Sequence, residues 1–229
     1  MPFVKGDDPT TEDRAPEAWE RAEEAAIAGL AGVERVLLVV SPMLSCEDAY
    51  HLGTWVRSLD GDVTFAVGPV PTAGEDQTFP GGFTVRAEKA PNARGVRRVL
   101  AAFGGEVLEF DAATKRAGDF GGIVVTGNYP SDWVTEEAAA AFPEDAFIVV
   151  IDTLPNALMA KADVILPGAT WMEKSGTFEN VDHRLQAFDR AQRVFFTGTF
   201  SKLLLPSFRL GYVVVPPDLV ADVGRARAQ

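Results

Sequence analysis

Residues 34–68 read ERVLLVVSPMLSCEDAYHLGTWVRSLDGDVTFAVG. The first part, ERVLLVVS, is a compact apolar run of the kind shown by a strand covered on both faces of a parallel sheet. From residue 45 the period changes. Leu52, Trp55, Val56 and Leu59 recur at helical spacing, so residues 45–59 predict an amphipathic helix. DVTFAVG then reads as a second strand. A strand, a helix and a second strand in this order form a βαβ unit, which pairs its strands in parallel and places the helix on one face.

Working outward, the same alternation continues. EAWERAEEAAIAGLAG predicts a helix upstream, with Trp19, Ala22, Ala26 and Leu30 near helical spacing and Gly32 as a stop. Residues 1–15 are polar, contain proline and lack a period, and read as a flexible lead-in. Downstream, a Gly/Pro-rich loop at 68–82 precedes NARGVRRVLAAF, a predicted helix. GIVVTGN, DAFIVVID and ADVILPG are further strands, and TEEAAAAF a further helix. The class is α/β, with a mostly parallel sheet and helices on both faces, followed by a short C-terminal strand-rich segment.

Composition narrows the functional classes. The 229 residues are 47% hydrophobic and 24% charged, as a globular protein requires, and the formal net charge is −12. That balance repels phosphate backbones and argues against nucleic acid as a partner. One cysteine, Cys46, allows no intramolecular disulfide and no iron–sulfur cluster or cysteine-rich zinc site. The longest apolar runs fall far short of a bilayer span, and no apolar leader is visible, so direct membrane insertion and secretion are unsupported. The expected setting is cytoplasmic, peripheral to the inner membrane only through a complex.

In an open α/β sheet, ligands sit beyond the carboxyl ends of the strands, where the strand order reverses. Three strand exits carry polar residues: VVSPMLSCED, VVTGNYPSD and VVIDT, the last offering Asp152. Gly127-Asn128 has two readings, a close backbone approach to a ligand or an ordinary strand-to-helix turn. No G-x-G-x-x-G or Walker pattern is present. His51 and His183 have no second ligand at metal spacing beside them, so no metal site is expected. Glu47 and Asp48 beside Cys46 would raise its pKa, whereas a helix start would lower it. Arg94, Arg97 and Arg98 suit either an anion at a helix start or a solvated helix face.

The most specific passage is residues 162–186, ADVILPGATWMEKSGTFENVDHRLQ. Through Ala162, Asp163, Leu166, Pro167, Glu173, Gly176, Thr177, Phe178, Asn180, Arg184 and Gln186 it resembles a loop of the molybdopterin oxidoreductase superfamily. KAPNARGVRRVL is similar to the family's Asn-x-x-Gly element, and SPMLSCEDAYHLG to one of its strand-to-helix turns. Across about residues 30–192 the nearest flavour is the G (large) subunit of NADH-quinone oxidoreductase. The resemblance implies a Rossmann-like layer in an oxidoreductase subunit of the electron-transport chain. It implies other subunits of a respiratory complex as partners, and a role that is structural or partner-binding rather than catalytic alone. In the molybdoenzymes such a region holds molybdopterin guanine dinucleotide, which the respiratory subunit implies is lost. Asn128, Thr177, Asn180 and Arg184 would belong to a remnant pterin-type site.

Near residue 193 the pattern changes. RVFFTGTFSKLLLPSFRLGYVVVPPDLVADVGRARA resembles the lysine region of fold-type I pyridoxal-phosphate-dependent aminotransferases, of the kind found in GntR/MocR-type regulators. The resemblance implies a Schiff base on Lys202, with Ser201 and Arg209 meeting the cofactor phosphate. A competing reading pairs FFTGTF with RLGYVVVP as a hairpin, leaving Lys202 in a solvated loop. The organisation is therefore chimeric: a lead-in at 1–15, an α/β domain at 16–192 and an incomplete aminotransferase-like segment at 193–229.

Overall fold

The computed structural model describes residues 2–5, 16–188, 196–199, 211–214, 220 and 224–225. The chain divides into two compact units, Met1–Gln186 and Ala187–Gln229.

In the first unit, β1 is Phe3–Val4, α1 Pro16–Leu30, β2 Arg35–Val40, α2 Cys46–Arg57 and β3 Asp62–Val67. A small excursion follows, with β4 at Gln77–Thr78 pairing antiparallel with β5 at Thr84–Val85. Then come α3 (Ala93–Ala102), β6 (Val107–Leu108), α4 (Phe110–Lys115), β7 (Gly122–Thr126), α5 (Glu136–Ala140), β8 (Phe147–Asp152) and β9 (Val164–Pro167). β10 (Gly176–Glu179) and β11 (Leu185–Phe188) form a separate two-stranded sheet.

The seven-stranded sheet runs β1-β9-β8-β7-β2-β3-β6, parallel throughout except for β1, which lies antiparallel against β9. Numbered in chain order, the six parallel strands stand 3-2-1-4-5-6, the doubly wound order that reverses beside the first strand. The expected α/β class with helices on both faces is what the chain forms. The switch point falls between β2 and β7.

Alternation along each strand builds the two layers of core. Leu37, Val39, Ile123, Val125, Ile148 and Val150 face one side, packed with Ala113, Ala139 and Phe142 from α4, α5 and the turn after α5. Leu38, Val40, Val124, Val149 and Val164 face the other, packed with Ala22, Ala26 and Leu30 of α1, Val56 of α2, and Val96 and Leu100 of α3. Each such buried Val, Leu or Ile contributes about 1.5–3 kcal/mol over leaving it in water.

Some expectations shift. The buried stripe of α1 is Ala18, Ala22, Ala26 and Leu30, at a strict four-residue spacing, while Trp19 is 40% exposed. Small residues let α1 lie close to the sheet, and Gly29 has no space for a Cβ because the Phe147 ring occupies it. Phe3–Val4, within the stretch read as a lead-in, add an edge strand to β9. The passage at 162–186, read as resembling a loop, contains β10 and the start of β11, joined by a turn at Asn180, whose Oδ1 accepts from the amides of Asp182 and Arg184.

In the second unit, β12 (Phe196–Thr199) and β13 (Gly211–Val214) pair antiparallel, Phe196 opposite Val214 and Thr199 opposite Gly211. This is the pairing that the hairpin reading expects. Ser201, Lys202 and Arg209 lie outside the described residues.

Candidate functional site

The exits of β2 and β7 are tied together by one hydroxyl. Thr126 Oγ1 accepts from the Ser41 amide at 2.9 Å and donates to the Val39 carbonyl at 3.2 Å. Both Ser41 and Thr126 are buried, so each polar group must find its partner inside the protein. Ser41 Oγ in turn accepts from the Met43 amide at 3.1 Å, turning the chain toward α2.

Beside this lock sits Asp152, 4% exposed at the end of β8. Its Oδ1 accepts from the amides of Asn128 and Thr153, each at 2.7 Å. Its Oδ2 accepts from Trp133 Nε1 at 2.8 Å and Asn156 Nδ2 at 2.9 Å. A carboxylate offers about four acceptor positions. Those of Asp152 are filled by the protein. Gly127 explains how the carboxylate fits, because a Cβ there would overlap it. The next residue, Asn128, adopts φ 84°, a left-handed backbone that asparagine tolerates better than most residues. Gly127-Asn128 thus makes room for Asp152.

The loop after Asn128 is braced further. Tyr129 and Trp133 stack with ring centroids 4.6 Å apart, and the Tyr129 hydroxyl donates to the Pro69 carbonyl at 2.7 Å. Burial raises the Tyr129 pKa strongly, so the phenol stays neutral and keeps that donor.

Two clefts meet at Asn128. One, of about 380 Å³, is lined by Asp48, His51, Thr126, Asp152 and Lys174 among others. The second, of about 470 Å³, is mainly apolar, with Met43, Pro91, Tyr129, Leu154, Trp171 and Phe178 in its walls. Both lie beyond the carboxyl ends of the strands, beside the switch point, where the fold places ligands.

The start of α2 forms the rim of the first cleft. Ser45 and Asp48 make a capping box, Ser45 Oγ accepting from the Asp48 amide and Asp48 Oδ2 from the Ser45 amide, both at 3.0 Å. Asp48 also pairs with Lys174 Nζ at 2.8 Å. Burial opposes the charge on Asp48, but hydrogen bonds from Lys174 and Ser45 outweigh it and hold the carboxyl below its ordinary pKa. Glu47 reaches β10 instead, accepting from the Thr177 amide at 2.7 Å and the Thr177 hydroxyl at 2.8 Å.

Asn92 completes this junction. It is fully buried; its Nδ2 donates to the Leu44 carbonyl at 2.7 Å and its Oδ1 accepts from the Glu179 amide at 2.7 Å. A Cβ on Gly95, one turn along α3, would overlap Asn92 Oδ1 and press on Cys46 Sγ. The Asn-x-x-Gly spacing is therefore a packing requirement. Burial is the main force raising the Cys46 pKa, with the Asn92 hydrogen bond opposing it and the nearby Glu47 and Glu179 charges adding to it.

Of the four residues implied for a pterin-type site, Asn128 lines both clefts. Thr177 is bonded to Glu47, while Asn180 and Arg184 belong to the β10–β11 turn, Arg184 with an exposed side chain. The structure does not bring these three to the clefts. Of the arginines of α3, Arg97 meets Glu109, whereas Arg94 and Arg98 meet His183 and Glu179, which are themselves 3.2 Å apart. Among the described residues, no group of three or more His, Cys, Asp or Glu could hold a metal ion. No helix among them is long and apolar enough to cross a membrane. His51 and Lys174 line the cleft without having been singled out as a pair. No local pattern joins them, although Asp48 was visible as part of an acidic helix start.

Comparison with known proteins finds similarity over parts of the chain. The Molybdopterin oxidoreductase family model matches residues 98–198. The F420-dependent formate dehydrogenase 1 subunit alpha of Methanococcus maripaludis is 43% identical over 71 residues, which is 30% of this chain and 10% of that protein. The HTH-type transcriptional regulator TauR of Rhodobacter capsulatus is 31% identical over 145 residues, 62% of this chain and 28% of the regulator. The probable rhizopine catabolism regulatory protein MocR of Rhizobium meliloti is 51% identical over 35 residues, 15% of this chain and 7% of that protein. The chain spans less than a third of the length of each of these relatives. It carries a molybdopterin oxidoreductase-like region.

Proposed function

We propose that this chain is part of a respiratory oxidoreductase subunit of the NADH-quinone oxidoreductase G type, in which the molybdopterin oxidoreductase-like layer binds partner subunits rather than performing chemistry alone. The observation that carries this reading is the family match over residues 98–198, which takes in β7, β8 and β9 on one side of the switch point. The polar groups there support a scaffold. Thr126, Asp152, Asn92 and Glu47 all bond within the protein, and the one cysteine in the sequence cannot hold an iron–sulfur cluster. Electrons would pass through clusters bound by other parts of the assembly.

Affinity purification of the full-length chain from its host tests this. Co-isolation of respiratory-complex subunits, with no molybdenum in the chain itself, is the expected result. Purification alone, under conditions that keep a respiratory complex intact, would refute it.

A second reading rests on the resemblance of residues 193–229 and on the 51% identity to MocR over 35 residues. In it, Lys202 binds pyridoxal phosphate as a Schiff base, with Ser201 and Arg209 at the phosphate. The full-length protein would then be yellow, and Lys202→Ala would abolish the colour. A colourless protein after incubation with excess pyridoxal phosphate would end that reading.

A further inference from the structure

We infer that the position where a doubly wound fold ordinarily receives a diphosphate is closed in this chain by its own carboxylates, and that the 173–180 segment is docked there in place of a ligand. This rests on the molybdopterin oxidoreductase-like reading, which makes a guanine dinucleotide the ligand to be tested.

A diphosphate at a switch point needs unengaged amides at a helix start and a cation to balance it. The helix that follows the first parallel strand is α2. Its opening residues carry Glu47 and Asp48, which already complement the positive end of the helix. A diphosphate would meet two negative charges at that point. The nearest ammonium in the cleft, Lys174, is held by Asp48 at 2.8 Å. The first cleft counts two carboxylates, Asp48 and Asp152, against that one ammonium. Among the described residues, the second has no cationic side chain in its walls.

The amides at the strand exits are also engaged. Ser41 donates to Thr126, Gly68 to the Val40 carbonyl and Gly127 to the Ile151 carbonyl. Asn128 and Thr153 donate to Asp152, and Gly168 to the Asp152 carbonyl. Thr170 donates to Glu173 at 2.8 Å. With its acceptor positions filled, Asp152 offers nothing to the N–H groups of a purine either. The docked segment's own donors, Lys174 at the rim and the amide and hydroxyl of Thr177 outside the cleft lining, are held by Asp48 and Glu47. The segment thus supplies to these carboxylates the contacts that a phosphate would otherwise seek. The residues present do not fit a dinucleotide.

Guanosine diphosphate is a direct probe, titrated calorimetrically into the full-length protein. The expected result is a Kd weaker than about 1 mM, with no guanine nucleotide released when the purified protein is acid-denatured. The double variant Glu47→Gln/Asp48→Asn removes both charges and frees Lys174. It should bind the probe at least about tenfold more tightly than the unaltered chain, and adding Lys174→Ala should cancel the gain. If the double variant does not fold, Asp48→Asn alone, which keeps the Glu47–Thr177 contact, is expected to show the gain. Binding by the unaltered protein below about 100 µM, or released guanine nucleotide, overturns the inference. A folded variant without any gain overturns the assignment to these carboxylates. None of these outcomes bears on subunit co-isolation, so the two readings fail separately.

Discussion

Replacing Asp152 with asparagine keeps the size of the side chain and reverses part of its hydrogen bonding. In the native chain the carboxylate accepts four N–H groups at 2.7–2.9 Å, two on each oxygen, and Oδ1 takes a longer fifth from the Leu154 amide at 3.5 Å. An amide has one acceptor atom and one donor atom. Whichever way it turns, its NH2 faces two donors: either Trp133 and Asn156, or the amides of Asn128 and Thr153. Each buried donor left without a partner costs about 1–3 kcal/mol, so Asp152→Asn should cost about 2–6 kcal/mol. Against a total stability of about 5–15 kcal/mol, that is a large fraction. For a chain of this size the lower bound alone corresponds to a fall in Tm of about 4–8 °C. Urea unfolding followed by tryptophan fluorescence measures it, and Trp133 places a reporter in the network itself. A midpoint within about 0.5 kcal/mol of the unaltered protein would show that the four donors are satisfied elsewhere, and the hub described here would be wrong.

Gly127→Ala should be destabilising by about 2 kcal/mol or more, since its Cβ overlaps the Asp152 carboxylate; an unchanged urea midpoint would refute that close approach. Asp48, whose pKa is depressed in the fold, contributes stability that is present above its ordinary carboxylate range and lost as pH falls through the lowered folded value. Tm measured from about pH 6 to about pH 3 should therefore drop less steeply in Asp48→Asn than in the unaltered chain, and parallel curves would refute the pairing. Cys46, with its pKa raised, should alkylate several-fold more slowly than a free thiol at neutral pH and accelerate on unfolding. Equal rates in the folded and unfolded protein would contradict its partial burial.

The sheet was legible because each central strand is an unbroken apolar run between turn residues, and the helices because their apolar positions repeat. Short elements were not. Val107–Leu108 and Phe3–Val4 contribute two residues each, too few for a period to show. The stripe of α1 was misplaced by one position because Trp19 outweighs Ala18 in any reading by hydrophobicity, whereas close approach to the sheet selects the smaller residue. At the candidate site, the carboxylates at 47, 48 and 152 were visible as residues but not as partners. Glu47 meets Thr177 across 130 positions and Asp48 meets Lys174 across 126, distances over which local patterns carry no information.

Those long-range contacts change what the motif means. Asn92 and Gly95, the acidic start of α2 and the Gly-Thr-Phe strand look like separate ligand-binding elements when read along the chain. In the fold they are one junction. Asn92 receives the Glu179 amide, Gly95 leaves room for Asn92, and Glu47 receives Thr177. Removing Asn92 or Glu47 leaves a donor unpaired, at about 1–3 kcal/mol, and a side chain at Gly95 overlaps Asn92, so folding alone is enough to require them together. Resemblance at these positions therefore supports a shared architecture and does not by itself imply a shared cofactor. The dinucleotide must be argued from the clefts, where the amides at the strand exits are already engaged by the protein.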